Sequence, residues 1–431
     1  MTAHQVPAAR RQPDSEPVTP LRRFIPAMLL TQLGFYAALT TPLQLLLVLR
    51  LESIAGADAP SALGVVTGFG ALCAVVATPI GGRLSDRTRA RFGRRRTWIL
   101  TGSLVFALAL VAMTATTAVW QVVLLWCLAQ AGGNFQFAAN VAIVADQVPP
   151  PRRGLVSGLV GLIAACGPLA GIAAANTFPA GARGQWLVLG VAAFGLTLVA
   201  VLLFRDPPSA EPRPPLNLRA LAGAFWFNAY RHPAFGWAWL VRFLIMCTYS
   251  AGGYTTLFLM QRLGVSAAGV GAVALEVGLI SVVCLGISSA LAGYASDAVG
   301  RQRPFVIFAG ILAALALVLM STAGSITTVL VASGLLGFAV GTFLAVDLAL
   351  CMRVLPNAED TAKDLAIINI AVALPQSLVP FAAPALLALG GYPALYLTLA
   401  GLGLLGAAGI LRVPEVGREH TPGHAAPITR A

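Results

Sequence analysis

Two stretches decide how this chain is read. Gly82-Arg83-Leu84-Ser85-Asp86-Arg87 is followed shortly by Gly93-Arg94-Arg95-Arg96, and Gly293-Tyr294-Ala295-Ser296-Asp297 is followed by Gly300-Arg301-Gln302-Arg303. The Gly/Asp parts are offset by 211 residues and the Gly-Arg parts by 207, so the first copy holds four extra residues between its two parts. At the same offset of 207, Asn140 aligns with Asp347, Pro149 with Pro356 and Pro168 with Pro375. Self-similarity on this scale marks one structural unit written twice.

The sequence around both copies is apolar. Of 431 residues, 28 are basic and 16 acidic, 58% are hydrophobic, and the mean hydropathy is +0.83. Soluble domains carry about a quarter charged residues, so a soluble globular protein is excluded. The apolar residues come as long uncharged runs rather than alternating as in an outer-membrane strand. Before the polar stretch 205–233, the runs 24–49, 59–82, 97–145, 154–182 and 184–204 hold six spans, because the 49 residues of 97–145 suffice for two. After it, 235–261, 263–296, 304–346 and 365–411 hold six more, the last two runs each dividing. The predicted fold class is an all-α membrane protein with twelve transmembrane helices in two pseudo-symmetric six-helix bundles. Its expected parts are an N-terminal tail 1–23, a bundle 24–204, a linker 205–234, a bundle 235–412 and a C-terminal tail 413–431.

Basic residues set the expected direction. With both termini inside, 24 of the 28 fall on the cytoplasmic side, three (Arg50, Arg183, Arg262) on the other, and Arg242 within a span. Such a bias orients a multi-pass protein of the cell membrane with its termini in the cytoplasm. It also accounts for the net charge of +12 without nucleic acid. Arg10, Arg11, Arg22 and Arg23 read as flanks of a retained first helix, since the run behind them lacks a small-residue cleavage site. The six cysteines are scattered with no CxxC spacing, and His4, His232, His420 and His424 lie in tails or linker. No metal or other cofactor is expected. Neither a nucleotide loop nor a clustered carboxylate pair is present, so an enzyme is not expected.

The loop pattern Gly-x3-Asp-Arg … Gly-Arg-Arg-Arg, its degenerate echo after the eighth span and the central linker resemble the major facilitator superfamily over essentially the whole chain. The longer spacing and the triple arginine before Thr97-Trp98-Ile99 resemble its glycoside and sucrose cation-symporter branch, although Thr88–Phe92 intervene where the usual motif is compact. The resemblance implies two bundles rocking about a mid-membrane site, a small-molecule substrate, a proton or cation as coupling ion, and a monomer working in the bilayer. It also implies a cytoplasmic latch favouring the outward-open state. Its residues would be Gly82, Asp86, Arg87, Gly93, Arg94 and Arg96 with Asp146 as a partner, matched in the second half by Gly293, Asp297, Gly300, Arg301 and Arg303.

Charges inside a span are expensive and therefore candidates for function. Glu276 is the first candidate for a proton-titrating carboxylate, the alternative being an ion pair with Arg242. Arg242 serves either as an anchor or as a substrate or proton contact, and Asp347, near the cytoplasmic end of its span, suits a gate. Cavity candidates are Gln32, Tyr36, Asn134, Asn140, Tyr249, Tyr254 and Gln376, whose amides and rings suit a neutral hydroxylated solute. Helix-to-helix glue is the alternative for each. The expected activity is secondary active transport, proton-coupled and leaning to a sugar or glycoside. The partial motif Gly167-Pro168-x-x-Gly171 keeps a proton-antiporting efflux pump as an alternative, and a non-transporting sensor or scaffold stands further off.

Overall fold

The computed structural model describes residues 18–206, 233–353 and 361–413. The expected tails and linker fall largely outside the described residues. Among the described residues every regular element is a helix. Helix α1 runs from Leu21–Thr41 through a π-helical turn, Pro42–Leu46, into Leu47–Ala55. Next come α2 (Ala59–Arg87), α3 (Arg94–Ala112), α4 (Val119–Gln147), α5 (Pro150–Ala175) and α6 (Arg183–Leu203). Helix α7 is Pro233–Tyr249, a 3-10 segment Ser250–Tyr254, and Thr255–Gln261. It is followed by α8 (Ala267–Val299), α9 (Arg303–Ser321) and α10 (Ile326–Arg353). The last stretch, Thr361–Gly409, loses helical backbone geometry at Gly390 and Gly391, which divides it into α11 (361–389) and α12 (392–409).

Ten apolar helical stretches among the described residues are long enough to cross a bilayer. Two of them, Leu21–Arg87 and Ile370–Arg412, span 67 and 43 residues and contain breaks, at Gly56 and at Gly390–Gly391. At about 20 residues per crossing, this is consistent with twelve. Helices are the natural answer to hydrocarbon because each satisfies its own backbone groups.

The duplication reappears in the packing. In the first half α1 lies against α5 and α6, α2 against α4, and α3 against α4 and α6. In the second, α7 lies against Thr361–Gly409, α8 against α10, and α9 against α10 and Thr361–Gly409. Small residues make these approaches possible in a medium that offers no hydrophobic drive. A Cβ on Gly102 of α3 would stand 2.7 Å from the Gln136 nitrogen and the Gly132 carbonyl of α4. Large buried rings fill the space that remains, Phe35, Phe106 and Trp126 in the first half and Phe258, Tyr392 and Tyr396 in the second.

Candidate functional site

The first loop copy is built around Arg95. Helix α2 ends where Thr88 turns extended, and α3 starts after Gly93, whose φ of +108° suits glycine. A Cβ there would also stand 2.5 Å from the Asp206 carbonyl and carboxylate oxygens. The Asp206 carboxylate accepts hydrogen bonds from the backbone N–H groups of Arg95 (2.6 Å) and Arg96 (3.0 Å), capping α3 from the start of the linker. This fixes the phase of α3, so the buried Arg95 guanidinium reaches Asp86 at 2.6 Å, Asp146 at 2.8 Å and the Ser85 hydroxyl at 2.9 Å. Arg94 pairs with Asp146 at 3.0 Å, and Arg96 lies over the Phe92 ring. Asp146 pairs with both Arg94 and Arg95, and the network joins α2, α3 and α4 within one half. Arg95 and Asp206 were not singled out from sequence. Three consecutive arginines cannot be ranked until the helix phase is known, and Asp206 read only as the beginning of a linker.

The second copy is different. Gly300 caps α8 in the left-handed conformation at φ +70°, donating to the Ser296 carbonyl at 2.8 Å. Asp297 is exposed and makes no ion pair among the described residues, Arg301 is exposed, and Arg303 donates to the Val413 carbonyl. Among the described residues no ion-pair cluster like that of the first copy is formed here; at the offset of 207, Gln302 stands where the first copy has Arg95 and Arg353 where it has Asp146.

Between the halves, the interrupted part of α1 meets the interrupted part of α7. The π turn at Pro42–Leu46 frees the Gln44 carbonyl to accept the Thr256 hydroxyl across the interface. Two joined chambers lie there. One, of about 260 Å³, has a mainly apolar wall that carries several hydroxyl and amide groups, among them Thr40, Thr67, Gln130, Ser250 and Gln376. The other, of about 240 Å³, is mainly apolar, with Leu169, Leu285, Leu317 and Met320 in its wall. Gln44 and Tyr249 line both. The Tyr249 hydroxyl is buried without a hydrogen-bond partner among the described residues, and the Tyr254 hydroxyl donates to the Pro380 carbonyl at 3.0 Å. No acidic or basic side chain lines either chamber among the described residues.

Three expected cavity residues, Tyr249, Tyr254 and Gln376, are brought together here, and four are not. Gln32 and Asn140 are buried inside the first half, where Asn140 Nδ2 donates to Gln32 Oε1 at 3.3 Å, in a knot that includes Thr31, Gln136 and Thr197. Asn134 accepts from the Thr78 hydroxyl at 2.9 Å, and Tyr36 packs against Gly167 of α5. These side chains hold helices together, the ordinary fate of buried amides in an apolar interior, with Gln136 Oε1 and Asn140 Oδ1 left without a hydrogen-bond partner among the described residues. The same close approach, with Gly171 against Ala37 and Thr41, accounts for the glycines of Gly167-Pro168-x-x-Gly171.

The intramembrane charges are also rearranged. Arg242 does not pair with Glu276; its Nη1 donates to the Asp347 carboxylate, joining α7 to α10, with both side chains buried. Glu276 is exposed on the face of α8 that carries Leu279 and Val283, away from Val277, Gly278 and Ser281 in the chamber wall.

Among the described residues, the close contacts between the halves at glycine positions gather toward one end of the helices. At the arginine-poor end, Gly64 of α2 faces the Pro380 carbonyl and Gly68 the Phe381 ring, while Gly271 of α8 faces Asn176 and Gly278 faces Leu169 of α5. Gln261 donates to Glu52 at 2.6 Å and accepts from the Tyr392 hydroxyl at 2.8 Å. Toward the arginine-rich end, Gly82 of α2, Gly154, Gly158 and Gly161 of α5, and Gly286 and Gly293 of α8 have nothing within 4 Å of where a Cβ would be. Among the described residues, the halves are in contact at the arginine-poor end and these glycine positions are clear of each other at the arginine-rich end.

The family model described as Major Facilitator Superfamily matches residues 24–290 and again 274–430. No curated protein matches the chain in sequence. Among solved structures, the human organic anion transporter MFSD10 (TETRAN) is 20% identical with a TM-score of 0.66, covering 91% of this chain and 99% of that one. A D-xylose-proton symporter is 18% identical with a TM-score of 0.68, covering 91% and 98%. A bacterial homolog to the human lysosomal transporter Spinster, in an inward-facing and unoccupied conformation, is 14% identical with a TM-score of 0.63, covering 91% and 94%. At these identities the likeness is one of fold.

Proposed function

We propose that this chain, which belongs to the major facilitator superfamily, is a proton-coupled carrier of a neutral, hydroxylated solute with an apolar portion, glycoside-like in its chemistry. The observation that carries the reading is the paired chamber between the interrupted helices α1 and α7. Its walls are mainly apolar, one chamber adds the amides and hydroxyls of Thr40, Thr67, Gln130, Ser250 and Gln376, and no charged side chain lines either among the described residues. A charged cargo would have to shed its hydration there without a counter-ion, which is costly. The apolar chamber on its own supports a second reading, export of a hydrophobic compound.

Coupling is assigned to Asp347 rather than Glu276. A carboxylate buried against Arg242 is stable only while both are ionised, and removing one charge of such a pair costs about 3–5 kcal/mol. Protonation of Asp347 therefore biases the α7–α10 contact, beside a chamber whose wall includes Tyr249 of α7. Rocking of the bundles between the state seen here and one closed at the arginine-rich end moves the solute. The arginine distribution supports cytoplasmic termini in a cell membrane, and a single chain holds the whole cavity, as a functional monomer requires.

The test is uptake into proteoliposomes under an imposed pH gradient, with neutral glycosides and hydrophobic cations as competing panels. Asp347→Asn is expected to abolish gradient-driven accumulation while leaving solute exchange, and Glu276→Gln to leave both. Normal accumulation in Asp347→Asn would remove that residue from coupling. Accumulation or extrusion confined to the hydrophobic panel would favour the second reading.

A further inference from the structure

Only three basic residues fall at the arginine-poor end, and two of them, Arg50 and Arg183, converge on one hollow of about 250 Å³ although 132 residues separate them in the chain. Orientation gives no reason for arginines on this side, since the bias that orients a membrane protein places them on the other. The Arg50 side chain is held in position. Its Nε donates to the Thr116 hydroxyl at 2.9 Å and its Nη2 to the Thr116 carbonyl, while that hydroxyl donates to Met113 at 2.9 Å. Nη1 is left for a ligand. Arg183 stands exposed at the rim, where α6 begins without a side-chain cap, so the positive end of that helix adds to the field. Thr114 and Thr117 are also in the lining, and no acidic residue is.

This hollow does not stand alone. It shares Ala115 and Thr116 with a second, largely apolar groove of about 310 Å³ that runs along Trp120, Leu124 and Leu125. Trp120 is 63% exposed and Leu124 60%. An exposed tryptophan at the end of a span marks the boundary between water and hydrocarbon. A cationic polar hollow therefore opens at that boundary directly onto a groove suited to an alkyl chain.

We propose that this is a binding site for an anionic phospholipid of the leaflet at the arginine-poor end. The phosphate sits between Arg50 and Arg183, and an acyl chain lies along Trp120, Leu124 and Leu125. A free phosphate or carboxylate would use the hollow and ignore the groove; the continuity of the two favours the lipid. The site lies away from the chambers between the halves and stands whether or not the transport reading does.

The experiment uses the purified full-length protein in a neutral maltoside detergent, titrated with dioleoylphosphatidylglycerol, dioleoylphosphatidylcholine or inorganic phosphate, with the thermal midpoint as the readout. Phosphatidylglycerol is expected to raise the midpoint saturably, and phosphatidylcholine and phosphate to do so far less. Apparent affinity should fall at least about fivefold in Arg183→Gln and again in Leu124→Gln, both at exposed positions that the fold tolerates. It should hold in Arg262→Gln, the third arginine of this end. Full stabilisation by phosphate alone, weakened by Arg183→Gln but untouched by Leu124→Gln, would replace the lipid with a free anion and overturn the proposal. A lipid effect that is absent, or equal in all three variants, would overturn it as well.

Discussion

The two halves place their charges in opposite positions. In the first, Gln32 of α1 meets Asn140 of α4 inside the bundle, and the loop below holds the ion-paired cluster Asp86–Arg95–Asp146. In the second, the positions 210 and 207 residues later are Arg242 and Asp347, which meet in the same way between α7 and α10, while Asp297 in the loop is without an ion pair among the described residues. The same contact is thus a neutral amide pair in one half and a buried ion pair in the other. Duplication supplied the scaffold twice, and the charge is divided between the copies: an ion-paired loop in the first bundle and a buried ion pair inside the second.

Substitutions can break or sharpen that contrast. The largest effect is expected from Arg242→Gln, which takes the guanidinium away from the buried Asp347 carboxylate and should cost about 3–5 kcal/mol in unfolding measurements on the purified protein. Arg242→Gln combined with Asp347→Asn copies the amide chemistry of the first half and should recover most of that loss while leaving proton coupling absent. If the double variant is as unstable as the single one, the two contacts are not equivalent. Next comes Arg95→Gln, which removes the bridge between Asp86 and Asp146 and should cost about 2 kcal/mol, less than a fully buried pair because both carboxylates are partly exposed. Asp206→Ala, which uncaps α3, should cost about 1 kcal/mol, read as a lowered thermal midpoint. The smallest stability effect is expected in the second loop, where Arg301→Gln should change stability by less than about 0.5 kcal/mol. Asp86→Asn, which removes one of the two carboxylates on Arg95, should lower the thermal midpoint, whereas Asp297→Asn should not.

Much of this architecture was legible in the residues. Run lengths and the offset between Asp86 and Asp297 carry the helix count and the duplication, because hydrocarbon tolerates little besides apolar helices. The site was legible only in part. An amide that lines a cavity and an amide that ties two helices have the same sequence signature, so Gln32 and Asn140 stood equal to Gln376 until their partners were known. Glu276 was conspicuous because its neighbours are uncharged, but the face on which a residue sits depends on how α8 is rotated in the bundle. Arg95 was hidden by the arginines on either side of it. Its role follows from the turn at Gly93 and the carboxylate of Asp206, 113 residues further along the chain.

The central claim, that the two bundles expose one site alternately to either side, is tested most directly by distances across both mouths. Spin labels at Ser157→Cys and Ala290→Cys would report the arginine-rich end, and labels at Asp58→Cys and Arg262→Cys the other, each pair in a background free of native cysteines. Lowering the pH or adding a transported solute should shorten the first distance while lengthening the second, because closure at one end accompanies opening at the other. Two distances that stay fixed, or that change in the same direction, would contradict the account.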